Sequence, residues 1–143
     1  MEKVQIVYWS GTGNTEEMAN HIAEGVKEAG AHAEVLAVDA VDKDALLAAD
    51  GFALGCPSMG NEELEDTEMD PFITSIEGSL TGKQIVLFGS YGWGDGEWMR
   101  NWVERMETAG ATVIGGEGVV ANEAPDEDAV SACKEAGKKL AVL

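Results

Sequence analysis

Three observations predict an α/β chain with a parallel sheet covered by helices on both faces. Apolar runs alternate with helix-period patterns from Val4 to Leu140, as strands joined by helical crossovers require. The run Gly51-Phe52-Ala53-Leu54-Gly55-Cys56 is almost wholly apolar, which suits a strand buried on both faces. The first run ends in Ser10-Gly11-Thr12-Gly13-Asn14-Thr15 and leads into Met18, Ala19, Ile22, Ala23 and Val26 at helical spacing. A strand, a tight polar loop and a helix start therefore follow one another. At 143 residues the expectation is a single domain, residues 1–143, with one substantial core.

Taken in order, Val4, Ile6, Val7, Tyr8 and Trp9 carry the first strand, and the first helix stops near Gly30. Ala33 to Val38 reads as the second strand. The polar, Ala-rich stretch from Asp39 to Asp50 holds a short helix marked by Leu46-Leu47. After the third strand, Asp70-Pro71 places a capping acid before Pro at the first helical position, with Phe72, Ile73, Ile76 and Leu80 facing inward. Gln84 to Gly89 is the fourth strand. Met99, Trp102, Val103 and Met106 lie on one face of the helix after it. Thr112 to Val120 is expected as a fifth strand, interrupted by a bulge or bend at Gly115-Gly116. The last helix begins near Asp126 and turns Val130, Cys133, Ala136 and Leu140 to the core. Five strand–helix units in series make a parallel sheet.

Composition narrows the function. Twenty-seven acids against nine Lys and Arg give a net charge of −18, which argues against a nucleic-acid ligand. Such a field favours partners with basic docking patches and disfavours adding electrons to anything bound within it. No apolar run approaches the ~20 residues of a membrane span, and nothing resembling a signal peptide precedes the first strand. The expectation is a cytoplasmic monomer. Cys56 and Cys133 are too few and too dispersed for a disulfide framework or a zinc site, and read as buried thiols. His21 and His32 are expected at the surface.

In parallel sheets ligands bind beyond the carboxyl ends of the strands, and three loops there stand out. The first, Ser10 to Thr15, offers two glycines, three hydroxyls and an amide at a helix start, which makes a phosphate cradle. It has no Lys, so it is not a nucleoside-triphosphate loop, and Glu16 stands where a dinucleotide loop needs a third small residue. The second runs from Pro57 through Ser58, Met59, Gly60, Asn61 and Glu62 to Asp70. Its six acids lack EF-hand spacing and read as a solvated face. Gly60-Asn61 tolerates positive φ, so its peptide can turn at low cost. The third, Ser90-Tyr91-Gly92-Trp93-Gly94-Asp95-Gly96, sets a Trp between glycines, with no neighbouring side chain to pack on. Trp93 opposite Met59 makes a slot for a planar group. Slot and cradle together suggest a mononucleotide with a large ring.

These motifs resemble flavodoxin, in particular the short-chain kind of clostridia and related anaerobes. The likeness is carried by Tyr8-Trp9-Ser10-Gly11-Thr12-Gly13-Asn14-Thr15, by Leu54-Gly55-Cys56 with Met59-Gly60, and by Phe88 to Gly96. It spans essentially the whole chain. The resemblance implies a three-layer sandwich of strand order 2-1-3-4-5, flavodoxin being a standard example of that order with FMN at the switch point between strands 1 and 3. It implies that Ser10 to Thr15 hold the FMN phosphate, and that Met59 and Trp93 cover the two faces of the isoalloxazine. Gly60 would turn its carbonyl to flavin N5, and Glu62 would accept from the ring N3–H. Ser90, Tyr91 and Gly92 would line the ribityl and ring edge, and Asn122 would reach the cofactor from the fifth strand. Asn61 stands where one well-known form of the motif has Asp, and Pro57 where some members carry a hydroxyl residue.

The activity so implied is that of a low-potential one-electron carrier, shuttling FMN between semiquinone and hydroquinone with no substrate of its own. Other classes share these features. A flavin reductase using NAD(P)H needs room for a second flat substrate, which Trp93 over the ring would obstruct. A partner-specific activator of ribonucleotide reductase type would differ only in its docking surface. A plain phosphate-binding module leaves Met59 and Trp93 unexplained.

Overall fold

The computed structural model describes residues 1–143. Strands β1 (Lys3–Tyr8), β2 (His32–Ala37), β3 (Gly51–Gly55), β4 (Gln84–Tyr91), β5 (Thr112–Val113) and β6 (Val119–Asn122) form one sheet with every pairing parallel. The order is β2-β1-β3-β4-β5, with β6 also paired to β4. Helices α1 (Asn14–Glu28) and α5 (Glu127–Ala141) cover one face. On the other lie α2 (Lys43–Leu47), α3 (Met69–Ile76) and α4 (Glu97–Thr108).

Strand alternation divides the buried apolar residues between the two faces. Ile6, Ala53, Val86 and Phe88 pack under α1 and α5, while Val7, Leu54, Ile85 and Leu87 pack under α3 and α4. Phe52 and Phe88 are fully buried, each contributing roughly 1.5–3 kcal/mol by leaving water. Helices α1 and α5 cross at glycines. A Cβ on Gly25 would lie 2.0 Å from the Lys134 carbonyl oxygen, and one on Gly137 would lie 2.1 Å from that of Ile22.

Several local expectations are corrected. The fifth strand is two strands, because three steps along β4 (Ile85 to Phe88) face six along the chain opposite (Val113 to Val119). The surplus leaves the ladder at Gly115 and Gly116, with φ of 82° and 76°. Strand β4 runs to Tyr91, so Ser90 and Tyr91 belong to the sheet and not to the loop. Asp70 does not cap α3; it pairs with Arg105 at 2.7 Å, and Glu65 caps the helix instead. On α5 the buried position is Ala129, and Val130 is only half-buried. His21 is half-buried between Glu17 and Glu24, whereas His32 is exposed. Cys56 and Cys133 are buried free thiols, and burial pushes each up to about 12. No helix is long and apolar enough to cross a membrane.

The connection from β1 to β2 runs outward, and that from β2 to β3 returns across β1. Loops leaving β1 and β3 therefore diverge and open a crevice between them.

Candidate functional site

The first loop leaves the sheet at Trp9, whose amide still donates to the Gly55 carbonyl at 3.0 Å. Gly13 starts α1 at φ 97°, a left-handed conformation without strain only for glycine. The Ser10 hydroxyl accepts from Gly13 N at 3.0 Å, and the Thr12 hydroxyl from Asn14 N at 3.5 Å. The amides of Gly11, Thr12, Thr15 and Glu16 have no intramolecular acceptor. They are grouped at the positive end of α1, an arrangement able to hold an anion. Thr15 is buried, and its hydroxyl accepts from Ser90 N at 3.4 Å, tying the cradle to β4.

The second loop begins in register with β4, since Ser58 N donates to the Ser90 carbonyl at 3.0 Å. It then folds into a small hairpin. Met59 and Glu63 exchange two backbone hydrogen bonds of 2.8 Å around Gly60, Asn61 and Glu62. Gly60 has φ 51° and Glu62 φ 56°. Neither the Gly60 carbonyl nor the Asn61 amide is held by a hydrogen bond, so the peptide between them is the free part of the turn. The Glu62 carboxylate reaches across to the third loop and accepts from Gly96 N at 3.2 Å and Glu97 N at 3.1 Å. It thereby caps α4, whose own N-cap residue, Gly96, has no side chain to do so.

The hairpin's far end is held by Glu65. Its carboxylate accepts from the amides of Thr67 (2.7 Å), Glu68 (2.8 Å) and Met69 (2.9 Å), and from the Thr67 hydroxyl. Burial, to 4% exposure, pushes this carboxyl up. The four donors outweigh burial and leave it below the usual Glu range. Glu65 N in turn donates to Cys56 Sγ at 3.3 Å.

In the third loop, Ser90 Oγ donates to the Glu123 carbonyl at 2.7 Å, and Glu123 N donates to the Tyr91 carbonyl at 2.8 Å. Trp93 is 61% exposed. Trp98, by contrast, is buried beneath the site and donates from Nε1 to the Cys56 carbonyl at 3.1 Å.

A cleft of about 240 Å³ joins the three loops. It brings together Gly11, Thr12 and Asn14 of the first, Ser58 and Met59 of the second, and Ser90, Tyr91 and Gly92 of the third. Ser10, Gly13, Thr15, Gly60, Asn61, Glu62 and Trp93 belong to the same loops but do not line it. Asn122 lines a separate groove against α5. Trp9, Pro57 and Glu123 also line the cleft, though none of them was expected as a cofactor contact. Trp9 is hidden by reading as the end of a strand, and the placement of Glu123 depends on its φ of 62°. No Lys, Arg or His lines the cleft.

The sequence pattern of the family described as Flavodoxin matches residues 6–137. The chain belongs to the flavodoxin family. Flavodoxin from Megasphaera elsdenii is 51% identical over 138 residues, covering 96% of this chain and 98% of that one. Flavodoxin from Clostridium beijerinckii is likewise 51% identical, covering 96% and 99%. The solution structure of two-electron reduced M. elsdenii flavodoxin superposes with a TM-score of 0.90 at 50% identity, over 98% of this chain and 99% of that one. The two frames thus correspond over nearly the whole of both chains.

Proposed function

We propose that this protein is a low-potential one-electron carrier built around non-covalently bound FMN, with no substrate turnover of its own. The observation that carries the reading is the cleft, where the unbonded Gly11 and Thr12 amides before a helix start meet Met59 and the Ser90 to Gly92 segment that leads to Trp93. Its residues fit FMN, because a dianionic phosphate is satisfied by neutral amide donors and the helix dipole without any cation. When bound, FMN supplies chemistry that passes electrons one at a time.

The chain's own residues then divide the work. Ser10 to Thr15 hold the phosphate, and Ser58, Ser90, Tyr91 and Gly92 meet the ribityl chain and ring edge. Met59 and Trp93, 36% and 61% exposed, are available to cover the ring faces. Only one Glu62 oxygen accepts from α4, which leaves the other for the ring N3–H. The Gly60-Asn61 peptide, held by no hydrogen bond, can turn its carbonyl to meet a proton that arrives with reduction. That contact would be absent with the oxidised ring and available once the ring carries the proton, so it would favour the first electron step by on the order of 1 kcal/mol or more and widen its gap to the second.

Charge sets the rest of the proposal. Glu62, Asp95 and Glu97 present carboxylates within 4.8 Å of one another beside Trp93, and the nearby Arg100 is paired with Asp95 at 3.0 Å. Additional negative charge on the cofactor is therefore disfavoured, which lowers the second potential. Lys3, Lys27, Lys83, Arg105, Lys138 and Lys139 lie at strand starts or helix ends, away from the loops. The acidic end suits redox partners with basic docking surfaces, for a cytoplasmic monomer. No His, Lys or thiol faces the cleft to serve as acid, base or nucleophile.

Anaerobic spectroelectrochemical titration of the FMN-loaded protein is the test. Two well-separated one-electron steps are expected. A single two-electron step would favour a flavin enzyme, and failure to bind FMN would remove the proposal.

A further inference from the structure

The hairpin that carries Gly60 is closed by its own two hydrogen bonds, yet a closed hairpin can still swing as a unit. Its near arm cannot. Cys56 N donates to the Phe88 carbonyl and Ser58 N to the Ser90 carbonyl, each at 3.0 Å, so the chain is stitched to β4 up to Ser58. The far arm has no sheet to hold it, because residues 64–68 lie between the hairpin and α3.

Glu62 ties the hairpin tip to α4, and Glu65 holds the arm beyond it. Glu65 is an acid buried to 4% exposure with no cation beside it. Three amides and the Thr67 hydroxyl converge on its carboxylate. Its carbonyl accepts from Asp70 N at 2.9 Å, and its amide donates to Cys56 Sγ at 3.3 Å. One residue thus joins the end of β3 to the start of α3, two residues after the hairpin closes at Glu63. Capping α3 alone would not require the contact to Cys56. The thiol itself is fixed by burial and by an S–H donated to the Pro57 carbonyl at 3.5 Å.

We infer that Glu65, tethered through Cys56, is a positioning residue that holds the far arm of the hairpin still, so that turning at the cofactor is confined to the Gly60-Asn61 peptide. The inference rests on the FMN reading above. Its physical basis is preorganisation. With both arms fixed, only one peptide is ordered when the Gly60 carbonyl makes its contact. With the far arm free, residues 64–68 must be ordered in the same step, and that entropy is subtracted from the contact. The consequence falls on the separation of the two one-electron potentials and not on FMN binding as such.

The test compares Glu65→Gln and Cys56→Ala with the wild type, each loaded with FMN. FMN affinity, thermal midpoint and both potentials are measured at fixed pH. Glu65→Gln keeps the shape but turns an NH2 toward amide donors, while Cys56→Ala keeps the carboxylate and removes the thiol that accepts from the Glu65 amide and donates to the Pro57 carbonyl. The expected result is that both variants bind FMN and that the comproportionation constant falls on the order of tenfold in each. A lowered thermal midpoint with unchanged potentials would overturn the proposal, leaving Glu65 as a helix cap only. A parallel rise of both potentials in Glu65→Gln, with none in Cys56→Ala, would also overturn it, because that is the signature of lost charge. If Glu65→Gln does not fold, Cys56→Ala decides alone. Failure of the wild type to bind FMN would instead sink the cofactor reading.

Discussion

At the scale of the residue, the site depends on backbone conformations that few side chains tolerate. Gly60 sits at φ 51° with open space where a Cβ would go, so its requirement is conformational and not steric crowding. A β-branched residue resists that region by roughly 1–2 kcal/mol. Gly60→Val is therefore expected to narrow the gap between the two one-electron potentials while leaving FMN bound, as spectroelectrochemistry would show; an unchanged gap would remove the turning peptide from the account. Glu62 shows how far a residue's meaning depends on its surroundings. In sequence it is one acid among six in its loop. In space it caps a helix in a neighbouring loop and stands beside the cleft that the cofactor would fill.

At the scale of the element, helix ends and helix crossings decide stability. Glu65 holds the start of α3 as an anion, and its folded pKa lies below the ordinary Glu value. A depressed acid stabilises the fold fully above the unfolded pKa of about 4.3 and loses that stabilisation as pH falls through the folded value. Urea unfolding should show Glu65→Gln less stable than wild type by about 1–3 kcal/mol at pH 7. The difference should shrink on acidification below the Glu range, and a constant difference would contradict the ionised cap. The α1–α5 crossing makes a second demand. A Cβ on Gly25 meets backbone at 2.0 Å, which no side-chain rotation relieves. Gly25→Ala must push the helices apart despite its better helix propensity, so a fall of a few kcal/mol is expected in chemical denaturation.

At the scale of the whole molecule, the −18 charge is expected to act on association and on potential together. Parallel topology puts strand ends and helix starts on one side, where acids surround Trp93, and helix ends with their bases on the other. Electron transfer to a partner with a basic surface should slow steeply as ionic strength rises through the range where the Debye length shrinks below about 10 Å. Stopped-flow rates that ignore salt would remove electrostatic docking from the proposal.

The sequence by itself determined the alternation of strands and helices, the three loops at the strand ends and the family, because each rests on local periodicity and on contiguous residue order. The proposed phosphate cradle was legible because its donors are contiguous, from Ser10 to Glu16. Tertiary structure alone decided the Glu65 cap, the Glu62 bridge to α4 and the placing of Glu123 at the cleft, since each joins segments that the sheet brings together. It also decided where the fifth strand breaks. Glycines 115 and 116 announced a break, but its extent was set by the register that β4 imposes on both sides of it. Local pattern specifies what a segment can form; pairing across the sheet specifies which of its polar groups find partners.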